Sequence, residues 1–337
     1  MAQSFRVGLI GTGRIGLVHA GSIADTRGAE LSYIADPFVD GAHRLAEEFG
    51  GKVTADPIEL LNSAEVDAVV IASPTPTHID LISAAIDAGV HVLCEKPIDL
   101  DIARVDALRN KVAEAKVHVA LGFNRRFDPQ FAEIRTRTAA GEIGTLEQLT
   151  ILSRDPGEPP AAYVAVSGGI FRDMMIHDFD MARSFIPNIV SVSAVGSNSF
   201  SADIKAAGDF DSAVATLRGE GGELVTIVNS RRAVYGYDQR LEAFGSAGAL
   251  FASNVARTTV SHYGADSVEG RRPYIENFLE RYAASYRSEL ALFLDGIRAG
   301  RLENPGFEDG RAALILADAA QESAETGRVV DVAKRLR

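Results

Sequence analysis

Short apolar runs alternate with amphipathic helical patterns along the first third of the chain. These runs are apolar at nearly every position, and they occupy residues 5–10, 29–36, 67–73, 90–96 and 117–123. Strands that are apolar throughout, with helical segments between them, are typical of a parallel sheet that is covered by helices on both faces. The pattern therefore predicts a doubly wound α/β domain at residues 1–123.

After residue 123 the pattern changes to longer strands joined by tight turns. Residues 211–218 and 223–232 flank the turn Gly-Glu-Gly-Gly, and two further runs flank a turn at 245–248, so both pairs predict β-hairpins. Amphipathic helical patterns follow at 274–299 and 308–326, before a short strand at 328–332. We predict a second, α+β domain at residues 124–337.

The strands of the first hairpin are apolar on both faces. Helices of the same domain can cover one face of such a sheet, and the other face then needs a neighbouring subunit. The pattern therefore predicts a homo-oligomer.

Composition argues against several classes of function. The 337 residues carry a formal net charge of −12, whereas a nucleic-acid surface requires clustered lysine and arginine. No apolar run approaches the ~18–20 residues of a membrane helix. Cys94 is the only cysteine, and the seven histidines lack the spacing of metal ligands. We expect a cytoplasmic protein without a metal, a nucleic-acid partner or a membrane partner.

The sequence Gly-Thr-Gly-Arg-Ile-Gly follows the first apolar run, and Asp36 ends the second. A strand before the turn and a helical stretch at 17–25 after it are the context of a dinucleotide site. The three glycines permit, in order, a tight turn, the approach of a pyrophosphate and close packing of helix on strand. The residues of the turn that are expected to bind the cofactor are Gly11, Thr12, Gly13, Arg14, Ile15 and Gly16.

Asp36 discriminates between the two nicotinamide dinucleotides. A carboxylate at this position accepts hydrogen bonds from the adenosine ribose hydroxyls and repels the 2′-phosphate of NADP. The residue therefore favours NAD, although Arg14 in the turn leaves room for the use of both cofactors.

Two more motifs lie where ligands collect in a parallel sheet, outside the carboxyl ends of the strands. The third run ends in ASPTPTH (72–78) and the fourth in CEKP (94–97). Thr75 can cap the following helix or bind the cofactor, and His78 is interpreted as a residue of the nicotinamide pocket. Lys96 lies between an apolar strand and a proline, which restricts its backbone to extended conformations and keeps it near the sheet edge.

The segment GGIFRDMMIHDFDMARSF (168–185) places Asp173 and His177 four residues apart on one side of a predicted helix, with Met175 and Phe179 roughly opposite. The same spacing is found on the polar face of an ordinary amphipathic helix. The pair therefore needs a partner elsewhere in the chain before it indicates chemistry.

In their order along the chain, these motifs resemble those of the glucose–fructose oxidoreductase/inositol dehydrogenase (Gfo/Idh/MocA) family. The resemblance runs from about residue 5 to residue 332, and CEKPIDL, GFNRRFDP, SRDPGEPP and SGGIFRDMMIHDFDMAR are similar to stretches of its bacterial inositol 2-dehydrogenases. It implies a C-terminal domain on a large open, mainly antiparallel sheet, and a homotetramer. It also implies NAD-dependent oxidation of a ring secondary alcohol, with myo-inositol as the expected substrate.

The resemblance assigns the catalytic group to Lys96, Asp173 and His177. Oxidation of CH–OH to a ketone removes a hydride from carbon and a proton from oxygen, and a neutral imidazole such as His177 suits the second task. Asp173 can orient that ring and stabilise the imidazolium, and Lys96 can donate a hydrogen bond to the reacting oxygen.

Two larger sets of residues are expected to bind the ligands. Besides the glycine turn, the cofactor set comprises Asp36, Ser73, Pro74, Thr75, His78, Glu95, Lys96 and Asn124. The substrate set comprises Lys96, Arg126, Asp155, Asp173, His177 and Tyr235. Arg126 is equally suited to an interdomain ion pair, and Tyr235 is included because it matches a substrate-contacting tyrosine of the family.

Two other functions stay open. The same chemistry suits scyllo-inositol or an aldopyranose such as glucose or xylose, because hydroxyl stereochemistry is read by loops whose geometry the sequence does not define. A non-catalytic NAD-binding sensor is disfavoured because Lys96 and His177 are both present.

Overall fold

The computed structural model describes residues 4–336, and these fold into two compact units. The first unit contains the chain up to Phe127 together with Ala283–Leu314. The second contains Asp128–Tyr282 and the chain from Ile315 onwards. The sequence pattern did not indicate that the chain returns to the first unit, and the predicted boundary at residue 123 stays a prediction.

Strands and helices alternate in the first unit, as the apolar pattern predicts. The strands of the chain are β1 (Phe5–Ile10), β2 (Ala29–Ala35), β3 (Lys52–Thr54), β4 (Ala68–Ile71), β5 (His91–Glu95), β6 (Val119–Gly122), β7 (Leu146–Arg154), β8 (Ile189–Ser197), β9 (Ser212–Gly219), β10 (Leu224–Ser230), β11 (Asp238–Gly245), β12 (Gly248–Ala252), β13 (Ser261–His262), β14 (Gly270–Arg271) and β15 (Val330–Asp331). The helices are α1 (Arg14–Asp25), α2 (Val39–Phe49), α3 (Pro57–Leu61), α4 (His78–Ala88), α5 (Ile102–Glu114), α6 (Pro129–Ala139), α7 (Ala161–Ser167), α8 (Gly169–Asp173), α9 (Ile176–Phe185), α10 (Ala202–Ala206), α11 (Phe278–Arg281), α12 (Ala283–Ala299) and α13 (Phe307–Thr326).

The first unit is built on a six-stranded parallel sheet with the order β3-β2-β1-β4-β5-β6. β4 and β6 are buried at every position, as expected of strands that are covered on both faces. The core around Val7 and Leu9 also contains Leu290, Phe293 and Leu294 of α12. A helix that is distant in the sequence therefore completes this core.

The second unit is built on a seven-stranded sheet with the order β12-β11-β7-β10-β9-β8-β15. Only the β7–β10 pair of this sheet is parallel, which confirms the predicted mainly antiparallel sheet. β9 and β10 form the first predicted hairpin, and β11 and β12 form the second. One face of β9 packs Ala215 and Leu217 into the core, whereas Val214 on the other face is 39% exposed.

Cys94 lies in the core of the first unit and is fully buried, which raises the pKa of its thiol. It therefore packs as a small apolar side chain. Within residues 4–336, no helix is both long and apolar enough to cross a bilayer.

Candidate active site

The glycine turn connects β1 to α1 and leaves open space at the start of that helix. A Cβ added at Gly13 would meet no atom within 4 Å, and no side chain caps the first turn of the 12-residue helix. A Cβ at Gly16, by contrast, would lie 2.1 Å from the carbonyl oxygen of Gly11, so the helix and the turn can pack only with glycine there. Open backbone at a helix N-terminus suits a pyrophosphate, and these residues fit a dinucleotide.

Asp36 follows β2 and contacts the glycine turn through its carboxylate. Its Oδ2 accepts hydrogen bonds from the amide and the hydroxyl of Thr12, each at 2.8 Å. Its Oδ1 accepts a third bond from the amide of Phe38, also at 2.8 Å. A carboxylate has about four acceptor positions. Asp36 can therefore hold the turn against β2 and still accept from a ribose hydroxyl.

His78 connects the turns that follow β4 and β5. Its ring is 1% exposed, with Nδ1 at 2.8 Å from the carbonyl oxygen of Pro97 and Nε2 at 2.9 Å from that of Ser73. Burial lowers the pKa of the imidazole. These contacts give His78 a structural role, and its predicted place beside the nicotinamide stays a prediction. Ser73 also bonds to Thr77 through their hydroxyls, at 2.6 Å, and Pro74 and Thr75 lie between them.

Glu95 ends β5 and turns its carboxylate towards the protein interior. Its Oε1 lies 2.8 Å from Nε2 of His19, and its Oε2 accepts a hydrogen bond from the amide of Lys96 at 3.2 Å. The ring of His19 packs edge-on against Tyr286 at a centroid distance of 5.5 Å. The Lys96–Pro97 peptide bond is cis. Sequence reasoning missed His19, although its place on α1 three residues after the last glycine of the turn was an available signal.

Asn124 and Arg126 lie in a short 3-10 turn after β6. Asn124 is 2% exposed, and Nη2 of Arg126 forms an ion pair with Asp309 at 2.9 Å. Both members of this pair belong to the first unit. Arg126 thus forms an ion pair within one unit, and both the interdomain ion pair and the substrate contact of Arg126 stay predictions.

In the second unit, the prediction of one helix through Asp173 and His177 is wrong. α8 ends at Asp173 and α9 begins at Ile176. The amides of Met174 and Met175 both donate to the carbonyl oxygen of Ile170, at 3.1 and 2.9 Å, so the second bond spans five residues instead of four. Both methionines are buried. The helix widens and breaks as these side chains enter the core, and the periodicity of the sequence does not reveal such a break.

Asp173 is held by two side chains from other elements. Its Oδ1 accepts a hydrogen bond from the hydroxyl of Tyr163 at 2.7 Å, and its Oδ2 lies 3.4 Å from Nη1 of Arg231. His177 lies in the first turn of α9 and is partly exposed. The predicted contact between Asp173 and His177 stays a prediction.

A buried polar network anchors α9 to the sheet beside His177. Asp178 is fully buried and accepts hydrogen bonds from Ser153 on β7 and Asn229 on β10, each at 2.8 Å. Ser153 also bonds to Gln239 on β11 at 3.1 Å. This network fixes the start of α9 against three strands.

Two predicted substrate residues follow strands of the same sheet. Asp155 directly follows β7, and its amide donates to the carbonyl oxygen of Ser230 at 2.9 Å. The hydroxyl of Tyr235 accepts from Arg154 at 2.7 Å and donates to Asp238 at 2.9 Å. Tyr235 is thereby fixed in the loop between β10 and β11.

The predicted site residues are found in both units. The predicted cofactor residues, with Lys96, belong to the first unit and lie in or directly after its parallel strands. Asp173, His177, Asp155 and Tyr235 belong to the second unit. The joint action of Lys96 with Asp173 and His177 stays a prediction.

Comparison with known proteins identifies the family. A model described as an oxidoreductase family with an NAD-binding Rossmann fold (Gfo/Idh/MocA) matches residues 5–123, and a model of the Gfo/Idh/MocA C-terminal domain matches residues 131–251. The chain belongs to this family. With the open glycine turn, this makes residues 5–123 an NAD-binding Rossmann domain.

Three similar proteins cover nearly the whole chain. Inositol 2-dehydrogenase of Rhizobium meliloti is 44% identical over 98% of this chain and 100% of its own length. The crystal structure of a myo-inositol dehydrogenase from Corynebacterium glutamicum is 55% identical, with a TM-score of 0.95 over 98% of this chain and 99% of that one. Scyllo-inositol dehydrogenase from Lactobacillus casei, with bound NAD(H) and scyllo-inositol, is 31% identical, with a TM-score of 0.90 over 98% of this chain and 100% of that one.

Proposed function

We propose that this protein is an NAD-dependent dehydrogenase that oxidises myo-inositol to 2-keto-myo-inositol (scyllo-inosose). The observation that carries the proposal is similarity over 98% of the chain to proteins named inositol dehydrogenases, combined with an open glycine turn beside Asp36. Lys96, Asp173 and His177 supply the side chains that oxidation of an alcohol requires.

The residues of the chain divide the reaction between them. Bound NAD supplies the acceptor of the hydride. His177 removes the hydroxyl proton as a general base, because a neutral imidazole titrates near the working pH. Asp173 orients the ring and offsets the positive charge that it gains. Lys96 donates a hydrogen bond to the substrate oxygen, which becomes the ketone oxygen.

Substrate recognition requires directional donors and acceptors, because a cyclic polyol presents a hydroxyl on every ring carbon. The backbone amide of Asp155 is held by the carbonyl oxygen of Ser230, and the hydroxyl of Tyr235 is held by Arg154 and Asp238. A side chain that is fixed before binding, as that of Tyr235 is, loses less conformational entropy when it binds. We propose that both, together with Arg126, contact the polyol.

The second candidate substrate is scyllo-inositol, which is favoured by the similarity to the Lactobacillus casei enzyme. The two inositols differ in the stereochemistry of one hydroxyl. Oxidation of that hydroxyl gives the same ketone from both, so the product does not distinguish the two reactions.

The test is an initial-rate screen that follows the absorbance of NADH or NADPH. The purified protein is assayed with myo-inositol, scyllo-inositol, D-glucose, L-glucose and D-xylose, each with NAD and NADP. We expect the highest kcat/KM with NAD and myo-inositol. A higher kcat/KM with scyllo-inositol or a pyranose would mean that this compound, and not myo-inositol, is the preferred substrate. If no combination of substrate and cofactor gives activity, the proposal that the protein is a dehydrogenase is refuted.

We also propose a homotetramer that assembles through the open face of the second sheet, and a location in the cytoplasm. That face exposes large apolar side chains: Val195 is 65% exposed, and Phe251 is 59% exposed. Leu224 and Phe244 are 46% and 41% exposed. Exposed apolar area of this kind is usual at subunit interfaces. Analytical ultracentrifugation is expected to give about four times the chain mass of 35.9 kDa.

A further inference from the structure

The side chains around Asp173 form a clamp that the family motifs do not include. The hydroxyl of Tyr163, on α7, donates to Oδ1 of Asp173 at 2.7 Å. The guanidinium of Arg231, directly after β10, lies 3.4 Å from Oδ2. The two carboxylate oxygens are thus held from two sides by elements that are distant in the sequence.

Arg231 is itself fixed, because it bridges two carboxylates. It is 1% exposed, and its Nη2 lies 3.1 Å from Oδ2 of Asp209. The other oxygen of Asp209 accepts a hydrogen bond from the amide of Ile170 at 2.8 Å, in the first turn of α8. A buried guanidinium with partners on both sides cannot move without leaving a charge unpaired. Arg231 therefore ties the first turn of α8 and its last residue, Asp173, to the end of β10.

We propose that Tyr163 and Arg231 are positioning residues for the dehydrogenation and act by fixing the carboxylate of Asp173. This inference rests on the proposed function, in which Asp173 orients His177. A carboxylate held at both oxygens presents one orientation to the imidazole, whereas a free one rotates and loses part of its effect. Neither residue needs to touch the substrate or the cofactor for this role.

Tyr163→Phe is the sharper test, because it removes one hydroxyl from a side chain that is 44% exposed and leaves the fold intact. If a hydrogen bond to a charged group contributes fully to the transition state, its removal lowers kcat roughly tenfold or more. We expect kcat with myo-inositol to fall about tenfold, with KM and the affinity for NADH, measured by fluorescence titration, within about twofold of wild type. Tyr263→Phe is the matched control, since Tyr263 is also exposed and donates to a carboxylate, that of Glu269.

Combining the change with Asp173→Ala separates positioning from direct contact. If Tyr163 acts through Asp173, Tyr163→Phe lowers the residual kcat of the Asp173→Ala variant less than about twofold. An equal loss in both backgrounds would mean that Tyr163 acts independently and would overturn the inference. So would a single Tyr163→Phe variant with wild-type kcat.

Arg231→Lys provides a second arm, with exposed Arg232→Lys as its control. Lysine keeps the charge but cannot contact two carboxylates as a planar fork does, so kcat is expected to fall with little change in KM. Wild-type kcat for a folded Arg231→Lys variant would exclude Arg231 from the clamp. A wild-type protein without activity on any polyol overturns the proposed function and this inference with it, whereas an active wild type with unaffected variants overturns the clamp alone.

Discussion

Asp36 accepts three hydrogen bonds from the chain itself, two from Thr12 and one from the amide of Phe38. The sequence motif indicates its role towards the cofactor, because a carboxylate at the end of the second strand discriminates between ribose and ribose phosphate. The additional role, to hold the glycine turn, depends on the tertiary contact with Thr12. The structure shows the second role, and the first stays a prediction.

Replacement of Asp36 by Ser is expected to change cofactor preference. The substitution removes an acceptor for the ribose and a charge that repels the 2′-phosphate, so kcat/KM with NAD should fall roughly 10–100-fold relative to NADP. Activity with NADP should stay below that of wild type with NAD, because Thr12 loses its partner. Initial rates with both cofactors measure this, and Asp40→Asn, exposed in the first turn of α2, is the control. If the ratio of kcat/KM with NAD to kcat/KM with NADP does not change, Asp36 does not select the cofactor.

His177→Ala tests the general base directly. Loss of a positioned base is expected to reduce kcat roughly 10²–10⁴-fold while NADH still binds with wild-type affinity. Steady-state rates and a fluorescence titration separate the two effects, and exposed His43→Ala should behave as wild type. A loss below about threefold contradicts the role of His177.

His78 makes stability depend on pH. Burial lowers the pKa of its imidazole from 6.5, so as the pH falls the unfolded chain becomes protonated at His78 at a higher pH than the folded chain does. The contribution of neutral His78 to the free energy of unfolding is therefore complete above about pH 6.5. It is lost as the pH falls through that value towards the pKa of His78 in the folded state.

The comparison of wild type with His78→Gln isolates this contribution. At pH about 7.5, loss of a buried hydrogen bond should lower the free energy of unfolding by about 1–3 kcal/mol. The difference should narrow when the pH is lowered to about 5.5, as measured by urea denaturation. Exposed His262→Gln is the control, and a difference that does not depend on pH would refute the argument.

At the scale of elements, the position of His177 depends on two features. They are the break between α8 and α9 and the buried polar network that anchors α9 to the sheet. Periodicity predicts a polar and an apolar side of the segment, and Met175 and Phe179 are indeed buried. It does not predict the fully buried Asp178, because the donors that make this burial tolerable, Ser153 and Asn229, lie on other strands. Charged residues are buried only where such partners exist.

Asp178→Ala is expected to destabilise the second unit strongly. The change leaves the buried amide donor of Asn229 without its acceptor and opens a cavity, which together cost about 2–5 kcal/mol. Urea denaturation followed by circular dichroism measures the cost. Exposed Asp203→Ala should change stability by less than about 0.5 kcal/mol. A similarly small effect of Asp178→Ala would mean that the network does not anchor α9.

At the scale of the whole molecule, the first unit is not continuous in the sequence. Leu290, Phe293 and Leu294 of α12 are fully buried in its core. The helical pattern at 274–299 was visible in the sequence, but an amphipathic pattern shows only that a helix has an apolar face and not which sheet covers it.

A fragment of residues 1–127 is therefore expected not to fold cooperatively. It lacks three buried side chains of α12, each of which stabilises the core by roughly 1.5–3 kcal/mol, and this approaches the total stability of a small domain. Fusion of residues 283–314 through a flexible linker should restore a cooperative thermal transition. Circular dichroism of both fragments is the measurement, and a sharp transition of 1–127 alone would show that α12 is dispensable.

Local patterns in the sequence by themselves determined the alternation of strands and helices, the two hairpins, the glycine turn and the expectation of NAD as the cofactor. Each of these depends on residues that are close in the chain, so a period or a motif records it. The tertiary structure decided the short strand β3, the break at Met174 and Met175, and the clamp on Asp173. Arg231 lies 58 residues from Asp173, and no local pattern records which distant side chains meet when the chain packs.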